Sequence, residues 1–217
     1  MYYSMKKLLI IGARGFGREA YETVLRSESF VSGSVVVKGF LDSDATSFDG
    51  LKGHFPPIIC SPEDYVIEDD DVFFIAMGDS KWRKYYADIL ASKGASFYTI
   101  ISRDSNVYPT ATIEDGCYIG GWTVISDNVH LGKNAVILGM CTLGHDSVVG
   151  DYSTIEAYSF IGGYSKVGNM STMHVRSTLI RHKSIGDNVD VGSCSVVIRN
   201  VKDNLHVYGN PAKKIDF

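Results

Sequence analysis

The second half of the chain repeats one hydrophobic position every six residues. From Ile101 onward every sixth side chain is aliphatic or methionine, and the fourth residue after each is small or short and branched, except at Lys183. The hydrophobic series is Ile101, Val107, Ile113, Ile119, Ile125, Leu131, Ile137, Leu143, Val149, Ile155, Ile161, Val167, Met173, Leu179, Ile185, Val191 and Val197. A helix cannot place residues six apart on one face, whereas a strand points a residue and its second neighbour to the same side. Each six-residue repeat therefore predicts one short strand followed by one corner.

This register indicates a parallel β-helix. Three strands close one triangular coil, so the chain returns to the same corner after three repeats. Aliphatic side chains fill the interior, small residues allow tight corners, and backbone groups pair with the coils above and below. A β-sandwich, the alternative, spaces its strands at about 8–12 residues and gives no strict six-residue register. We therefore expect a β-helix with a C-terminal tail over residues 101–217.

The first hundred residues follow a different pattern. Two lysines and an apolar run at 8–11 predict a buried strand over 6–11, followed by a glycine-rich turn at 12–17 and an amphipathic helix to about residue 25. The later predicted elements are strands at 35–41 and 72–77, a helix at 81–93, and a segment at 95–100 that leads into the β-helix. A strand, a glycine-rich turn and a helix open a nucleotide-type βαβ unit. We therefore predict a Rossmann-like α/β domain over residues 1–100.

The carboxyl ends of the three predicted strands should meet at one edge of the sheet, which is where open α/β sheets bind ligands. Glycines in the first turn let the backbone approach a phosphate at the helix N-terminus, and Asp42 could accept a hydrogen bond from a base or ribose. The candidate substrate-binding residues are Gly12, Gly15, Phe16, Gly17, Asp42 and Asp79. A nicotinamide dehydrogenase is disfavoured, because the turn has the pattern GxxGxG instead of GxGxxG.

Composition and charge narrow the range of functions. The chain has 217 residues, 45% of them hydrophobic, and a formal net charge of −4. That balance excludes a general nucleic-acid-binding surface, which needs a basic excess. The apolar run at 8–11 is too short for a signal-peptide core, and no run approaches the roughly 18 residues of a transmembrane segment. Four cysteines without CxxC spacing are typical of reduced thiols, so we expect a cytoplasmic protein.

Motifs in both halves carry a resemblance to a known family. They are GARGFGRE at 12–19, FLD at 40–42, AMGD at 76–79, GHDSVVGD at 144–151 and VYGNPAKK at 207–214. In this order and spacing they resemble the hexapeptide acyltransferases of the sialic-acid O-acetyltransferase and UDP-4-amino-sugar N-acetyltransferase type, over nearly the whole chain. The resemblance implies a left-handed β-helix, a homotrimer around a threefold axis, acetyl-CoA in the groove between neighbouring prisms, and a nucleotide-linked or free sugar on the α/β domain.

The candidate catalytic residue is His145. It lies two positions after Leu143, at a corner, with Asp146 at the neighbouring corner position, where a hydrogen bond between the two side chains is possible. His145 would act as the general base that removes a proton from a sugar amine or hydroxyl as this group attacks the thioester. Gly163 stands three repeats beyond His145, and the resemblance implies that its backbone N–H meets the thioester oxygen.

The resemblance also points to cofactor contacts. Thr154 stands where many family members carry a second histidine that touches the acetyl carbonyl, and Arg181 and Lys183 belong to a basic cluster that could meet CoA phosphates. His174 and Arg176 replace glycines that usually line the cofactor groove, which leaves the path of the pantetheine arm open. No histidine pair has the spacing of a prism-shaped zinc carbonic anhydrase, so we expect no metal ion.

These observations favour an acetyl-CoA-dependent N-acetyltransferase acting on a nucleotide-linked amino sugar for glycan or surface polysaccharide synthesis. The phosphate-ready turn of the α/β domain is the reason for preferring this substrate. O-acetylation of a sialic acid or a related sugar is one alternative. A non-catalytic trimeric scaffold is another alternative, because the needs of the β-helix fold account for the repeat without any catalytic activity. Thioester cleavage that depends on His145 distinguishes an enzyme from a scaffold.

Overall fold

The structure is a computed structural model that describes residues 5–215. The chain divides into two compact units, the first ending at Arg103 and the second beginning at Asp104. The first contains helices and a parallel sheet, and the second consists almost entirely of very short strands.

The first unit has α/β architecture. Its elements are β1 (Lys6–Ile11), α1 (Gly15–Leu25), α2 (Glu28–Val31), β2 (Val35–Leu41), β3 (Ile58–Cys60), β4 (Asp71–Ile75), α3 (Ser80–Ser92), β5 (Ser96–Phe97) and β6 (Ile100–Ile101). The first five strands form a parallel sheet in the order β3-β2-β1-β4-β5. With β1 at its centre and a helical crossover after it, this sheet confirms the predicted Rossmann-like domain.

Burial explains which elements of this unit the sequence revealed. Residues 8–11 of β1 and 71–75 of β4 are buried, and apart from Asp71 these residues form continuous apolar runs that the sequence reveals. The short strand β3 and the one-turn helix α2 carry no such run and were not predicted. Residues 96–97 differ from the expectation, because they extend the sheet beside β4 instead of leading directly into the β-helix.

The second unit is a coil of two-residue strands with a short hairpin at its end. Its strands are β7 (Asn106–Val107), β8 (Thr112–Ile113), β9 (Tyr118–Ile119), β10 (Val124–Ile125), β11 (His130–Leu131), β12 (Val136–Ile137), β13 (Thr142–Leu143), β14 (Val148–Val149), β15 (Thr154–Ile155), β16 (Phe160–Ile161), β17 (Lys166–Val167), β18 (Thr172–Met173), β19 (Thr178–Leu179), β20 (Ser184–Ile185), β21 (Asp190–Val191), β22 (Val196–Val197), β23 (His206–Tyr208) and β24 (Lys213–Ile215). This succession confirms the predicted six-residue rhythm of strand and corner.

Three sheets form the faces of a triangular coil. Face one contains β7, β10, β13, β16, β19 and β22, and face two contains β8, β11, β14, β17 and β20. Face three contains β9, β12, β15, β18, β21 and β23, with β24 antiparallel to β23. Neighbouring strands on a face are parallel, as where Ile125 of β10 pairs with Leu143 of β13. The predicted parallel β-helix is therefore confirmed.

The interior of the coil contains the aliphatic series. From Ile119 to Val197 its members are at most 1% exposed. Serines of the small-residue track are buried beside them, and their hydroxyls bond the backbone of the next coil, as Ser153 Oγ donates to the Gly168 carbonyl at 2.6 Å. The same track buries Cys117 and Cys141. The inward polar groups are hydrogen-bonded within the coil, except the Ser147 hydroxyl, which has no partner among residues 5–215. Because the inward positions are buried, a ligand can reach only the outward ones.

From residue 122 to residue 194 every corner turns at a residue in the left-handed backbone region, and none of these residues is a glycine, whereas the earlier corner between β8 and β9 turns at Gly116. The non-glycine residues are Trp122, Asn128, Asn134, Met140, Asp146, Tyr152, Tyr158, Tyr164, Met170, Arg176, His182, Asn188 and Cys194, with φ between 52° and 63°. We call residues 127–128, 145–146, 163–164 and 181–182, between faces one and two, the histidine corner. Residues 133–134, 151–152, 169–170 and 187–188, between faces two and three, are the aspartate corner.

Side chains of the aspartate corner tie successive coils together. Asp151 Oδ1 accepts from the Lys133 N–H at 3.0 Å, and Asn169 Oδ1 accepts from the Asp151 N–H at 2.9 Å. Asp187 Oδ1 continues the ladder by accepting from the Asn169 N–H at 2.7 Å. The ladder explains a glycine of the repeat, since a Cβ atom on Gly168 would lie 2.4 Å from Asp187 Oδ1. The polar residues of the aspartate corner therefore stabilise the fold by joining successive coils.

Candidate active site

His145 and Asp146 lie together at the histidine corner, between β13 and β14. The His145 Nδ1 atom is 2.8 Å from Asp146 Oδ2. Asp146 has a φ of 57°, a turn conformation that interrupts the strand alternation and lets two consecutive side chains meet. The His145 side chain is 55% exposed, so its ring is accessible to a ligand.

Asp146 is hydrogen-bonded through both of its carboxylate oxygens. Asn128 Nδ2, one coil earlier, donates to Asp146 Oδ1 at 2.8 Å, while His145 occupies Oδ2. Hydrogen bonds from Asn128 and then from His145 outweigh partial desolvation and hold the pKa of Asp146 below its usual range. An ionised carboxylate only accepts, so a neutral His145 ring carries its proton on Nδ1. The other ring nitrogen, Nε2, is then free to accept a proton.

Gly163 lies one coil beyond His145 and against its ring. A Cβ atom at position 163 would lie 3.0 Å from His145 Nε2 and 3.1 Å from its Cε1. Any side chain here would therefore crowd the nitrogen that is free to accept a proton. Among residues 5–215 the Gly163 backbone N–H has no acceptor, and the residue is only partly buried. This N–H is a free donor beside a basic nitrogen.

Two aromatic rings extend the site along the corner. The Tyr164 ring meets the His145 ring edge to face, with centroids 5.0 Å apart, and stacks parallel on the His182 ring at 5.0 Å. The Tyr164 side chain is exposed, so these rings form a wall beside His145 that a ligand can touch. Such a wall restricts the directions from which a bulky acceptor can reach the imidazole.

Sequence reasoning missed Asn128 and Tyr164, whereas His182 belongs to the basic cluster that the sequence analysis assigned to CoA phosphates. The coil spacing that relates His145 to Gly163 also relates Asp146 to Asn128 on one side and to Tyr164 on the other. The six-residue register therefore predicts that Asn128 and Tyr164 lie beside Asp146, just as it predicts that Gly163 lies beside His145.

The proposed cofactor residues lie in different places. Arg181 is exposed at the histidine corner, two coils beyond His145, and Lys183 is half-buried just after it. Thr154 is only 5% exposed and lies in β15 of face three, between Val136 and Thr172. The structure thus brings Arg181 to the corner that carries His145 and places Thr154 on another face of the same chain.

His174 and Arg176, which depart from the family pattern, both have local partners. His174 Nδ1 lies 3.2 Å from Glu156 Oε1, and its Nε2 lies 3.1 Å from Asp190 Oδ1. The Arg176 guanidinium lies over the Tyr158 ring, 5.4 Å from its centroid. These contacts account for both side chains without a ligand.

The three glycines of the glycine-rich turn in the first unit are required for different reasons, or for none that the fold shows. Gly12 has a φ of 94°, which favours glycine, and a Cβ atom on Gly17 would lie 1.8 Å from the Gly12 carbonyl oxygen. Gly15, at the start of α1, has nothing within 4 Å of its Cβ position. Backbone conformation and packing therefore explain Gly12 and Gly17, whereas Gly15 leaves open space at the helix N-terminus. Phe16 packs edge to face on Phe74, with centroids 5.9 Å apart.

Asp42 brings two strand ends together at the same edge. Its Oδ2 accepts from the Ala13 N–H at 2.7 Å, and its Oδ1 accepts from the Asp44 N–H at 2.9 Å. Asp79 is the N-cap of α3, where its side chain accepts from the Lys81 N–H at 2.7 Å. Asp42 therefore holds backbone N–H groups of the loops after β1 and β2, and Asp79 holds one in the first turn of α3.

Residues 5–215 contain no cluster of three or more His, Cys, Asp or Glu side chains arranged to hold a metal ion. None of the helices within that range combines the length and apolarity of a membrane span. All four cysteines are free thiols.

Two family models match the two halves of the chain. The PglD N-terminal domain matches residues 7–90, and the GMPPB C-terminal domain matches residues 101–208. The first match covers most of the α/β unit, and the second covers nearly all of the coil.

Solved structures resemble the chain over almost its full length. A mutant of perosamine N-acetyltransferase from Caulobacter crescentus, in complex with CoA and GDP-perosamine, has a TM-score of 0.84 and 20% identity, covering 99% of both chains. The acetyltransferase domain of PglB from Neisseria gonorrhoeae, in complex with acetyl coenzyme A, has a TM-score of 0.73 and 21% identity, covering 98% of this chain and 100% of its own. WeeI from Acinetobacter baumannii has a TM-score of 0.76 and 22% identity, covering 97% and 100%. These likenesses confirm the fold that the resemblance implied, an α/β domain followed by a left-handed parallel β-helix.

Proposed function

We propose that this protein is an acetyltransferase that transfers the acetyl group of acetyl-CoA to the amine of a nucleotide-linked amino sugar. The observation that carries the proposal is the Asp146–His145 hydrogen bond, which leaves Nε2 of the exposed His145 ring available beside the Gly163 N–H, a donor without an acceptor in the described part of the chain. A similar protein of known structure, perosamine N-acetyltransferase, was solved with CoA and GDP-perosamine bound, which supports this choice of co-substrate and acceptor.

In the proposed reaction His145 is the general base. The amine nitrogen attacks the thioester carbonyl carbon, and as the C–N bond forms, His145 Nε2 takes the proton that the amine loses. Asp146 stabilises the resulting imidazolium through Nδ1. The carbonyl oxygen becomes an oxyanion, which accepts a hydrogen bond from the Gly163 N–H. The C–S bond then breaks, and the CoA thiolate leaves with the proton returned by His145.

Acetyl-CoA, the co-substrate, is proposed to follow the histidine corner. Coils stack at about 4.8 Å, so Arg181 lies about 10 Å along the axis from His145, and Arg199, one coil further, about 14 Å. Exposed guanidinium groups at that range suit the phosphates of CoA when its thioester is at His145, and Lys183 adds positive charge nearby. Thr154 is left out of this path, because its buried hydroxyl offers a ligand little surface.

The glycine-rich turn is the proposed site for the diphosphate of the sugar nucleotide. Arg14, the N-cap of α1, makes no side-chain cap, and the first turn of α1 contains no acidic residue. An anion at this helix end would meet backbone N–H groups and the positive end of the helix dipole, and Gly15 leaves the approach open. At α3 the Asp79 carboxylate already occupies the corresponding place, which disfavours an anion there.

We further propose that the protein is a homotrimer that works in the cytoplasm in glycan or surface polysaccharide synthesis. At the third corner of the coil, Trp122, Met140 and Tyr158 form an apolar ridge, and their exposed fractions are 69%, 45% and 53%. Exposed apolar ridges of this kind favour contact between chains. Free thiols are typical of a reducing compartment.

The test is a thiol-release assay of the purified protein with acetyl-CoA and a panel of GDP-, UDP- and dTDP-linked amino sugars and free sialic acids. We expect CoA release with an amino sugar nucleotide, an acetylated product by mass spectrometry, and loss of turnover in His145→Ala but not in the control His130→Ala. O-acetylation of a sialic acid would replace the proposed substrate. Absence of turnover with the whole panel, or full activity of His145→Ala, would overturn the proposal.

A further inference from the structure

Asn128 is held in a defined place one coil before Asp146. Its backbone has a φ of 54°, and its N–H donates to Thr110 Oγ1 at 3.1 Å, in the coil before. Thr110 in turn donates to the Asp127 carboxylate. The main chain of Asn128 is therefore held by the preceding coil, and its side chain is available to hydrogen-bond Asp146 in the following coil.

The direction of the Asn128 amide follows from its partner. Asp146 Oδ1 lies 2.8 Å from Asn128 Nδ2, and an ionised carboxylate accepts hydrogen bonds only, so the NH₂ group must face it. Since His145 Nδ1 occupies the other oxygen, the carboxylate is held at two points and cannot rotate about its Cβ–Cγ bond without losing one of them. The orientation of the imidazole thus depends on a residue that does not touch it.

We infer that Asn128 is a positioning residue, which fixes the Asp146 carboxylate and thereby keeps the proton of neutral His145 on Nδ1 and its Nε2 ready to accept a proton. The inference rests on the proposed role of His145 and deepens it. A neutral imidazole in water prefers the tautomer with the proton on Nε2, so the catalytic tautomer needs an acceptor that stays in place at Nδ1. Asn128 supplies that constraint.

A purely conformational role for Asn128 makes a different prediction. Asparagine and aspartate both tolerate the left-handed region, so Asn128→Asp would be neutral if the residue only turned the corner. Under our inference the same isosteric change removes the donor and sets a carboxylate against Asp146, which repels it. Asn188 has a φ of 53° at the aspartate corner, so Asn188→Asp is the matched control.

The first readout is independent of turnover. In ¹⁵N NMR spectra, the neutral form of His145 should show a protonated Nδ1 and a bare Nε2 in the wild type and in Asn188→Asp. In Asn128→Ala and Asn128→Asp the signals should move toward a mixture in which Nε2 carries the proton. Unchanged tautomer populations in both Asn128 variants would overturn the inference.

The second readout is kinetic. We expect kcat to fall about 5- to 10-fold in Asn128→Ala and about 10- to 100-fold in Asn128→Asp, with KM for acetyl-CoA changed by no more than about twofold. Turnover of Asn128→Asp equal to that of Asn188→Asp would also overturn the inference. A wild-type protein without turnover would instead count against the proposed function, and the tautomer measurement would still decide the role of Asn128.

Discussion

The aspartate corner and the histidine corner are built on one backbone but use their polar groups differently. Both turn at a residue in the left-handed region between two-residue strands. At the aspartate corner a side-chain oxygen accepts the N–H one coil earlier, as Asp187 does from Asn169 at 2.7 Å. At the histidine corner the N–H groups of His145 and Gly163, in the same register position, have no acceptor within residues 5–215.

The difference shows how a repeat can support a site. An N–H that ties two coils together cannot bind a ligand, whereas one without a side-chain acceptor is open for use. At the histidine corner the carboxylate of Asp146 faces side chains, His145 and Asn128, instead of the neighbouring backbone. At His145 and Gly163 the histidine corner thus lacks the side-chain-to-backbone hydrogen bonds that join coils at the aspartate corner. In their place it has backbone N–H groups and side chains that can take part in chemistry.

The largest effect is expected from breaking the aspartate corner with Gly168→Ala. The added Cβ atom would lie 2.4 Å from the Gly186 carbonyl carbon and oxygen and 2.4 Å from Asp187 Oδ1. The Gly186 backbone could avoid the added methyl group only if the two coils moved apart. We therefore expect a loss of about 2–4 kcal/mol in the free energy of unfolding of the second unit. Chemical denaturation followed by circular dichroism measures this loss. A change below 1 kcal/mol would contradict the packing described for this corner.

The same methyl group at the histidine corner should affect activity instead. In Gly163→Ala the Cβ atom would stand 3.0 Å from His145 Nε2, so we expect kcat to fall about 10- to 100-fold. The matched control is Gly139→Ala at the third corner, where the Cβ atom would lie 3.0 Å from the Gly121 carbonyl oxygen. Steady-state thiol release compares the two variants, and an equal loss of turnover in both would show that steric strain alone is responsible.

One rung of the aspartate ladder offers a smaller test. Asp151→Ala leaves the Lys133 N–H without its acceptor, which should cost about 1 kcal/mol of unfolding free energy with little change in turnover. Asp151→Asn keeps a side-chain oxygen in place and should stay close to the wild type. Thermal unfolding of the two variants separates the acceptor from the charge. If both lose the same stability, the negative charge of Asp151 matters and the hydrogen bond does not.

The smallest effect concerns the titration of Asp146. Because its folded pKa lies below the value of about 3.9 for an unfolded aspartate, its ionised form stabilises the fold above that pH, and this contribution is lost as pH falls through the folded pKa. Asn128→Ala removes the largest cause of the lowering, so the carboxyl ¹³C titration midpoint should rise toward the ordinary value. An unmoved midpoint would show that Asn128 does not act on this carboxylate.

Much of the fold was predictable, because the position of each side chain in the coil follows from the sequence pattern of its immediate neighbours. The six-residue series gave the inward positions from Ile119 to Val197, and burial of these side chains follows from strand geometry alone. His145 and Asp146 were placed at a corner by the same register. In the first unit, the apolar runs of β1 and β4 were recognised for the same reason, whereas β3 and α2 depend on neighbours and left no periodic signal.

The sequence by itself determined that the second unit is a coil, which residues fill it, and that His145 stands at a corner, since inside and outside are set by side-chain alternation within a few residues. Only the tertiary structure decided which nitrogen of His145 is free, that Asn128 holds Asp146, and that the Gly163 N–H has no acceptor among residues 5–215. Those features depend on hydrogen bonds between coils, whose partners lie 18 residues apart and whose side-chain directions no local pattern specifies.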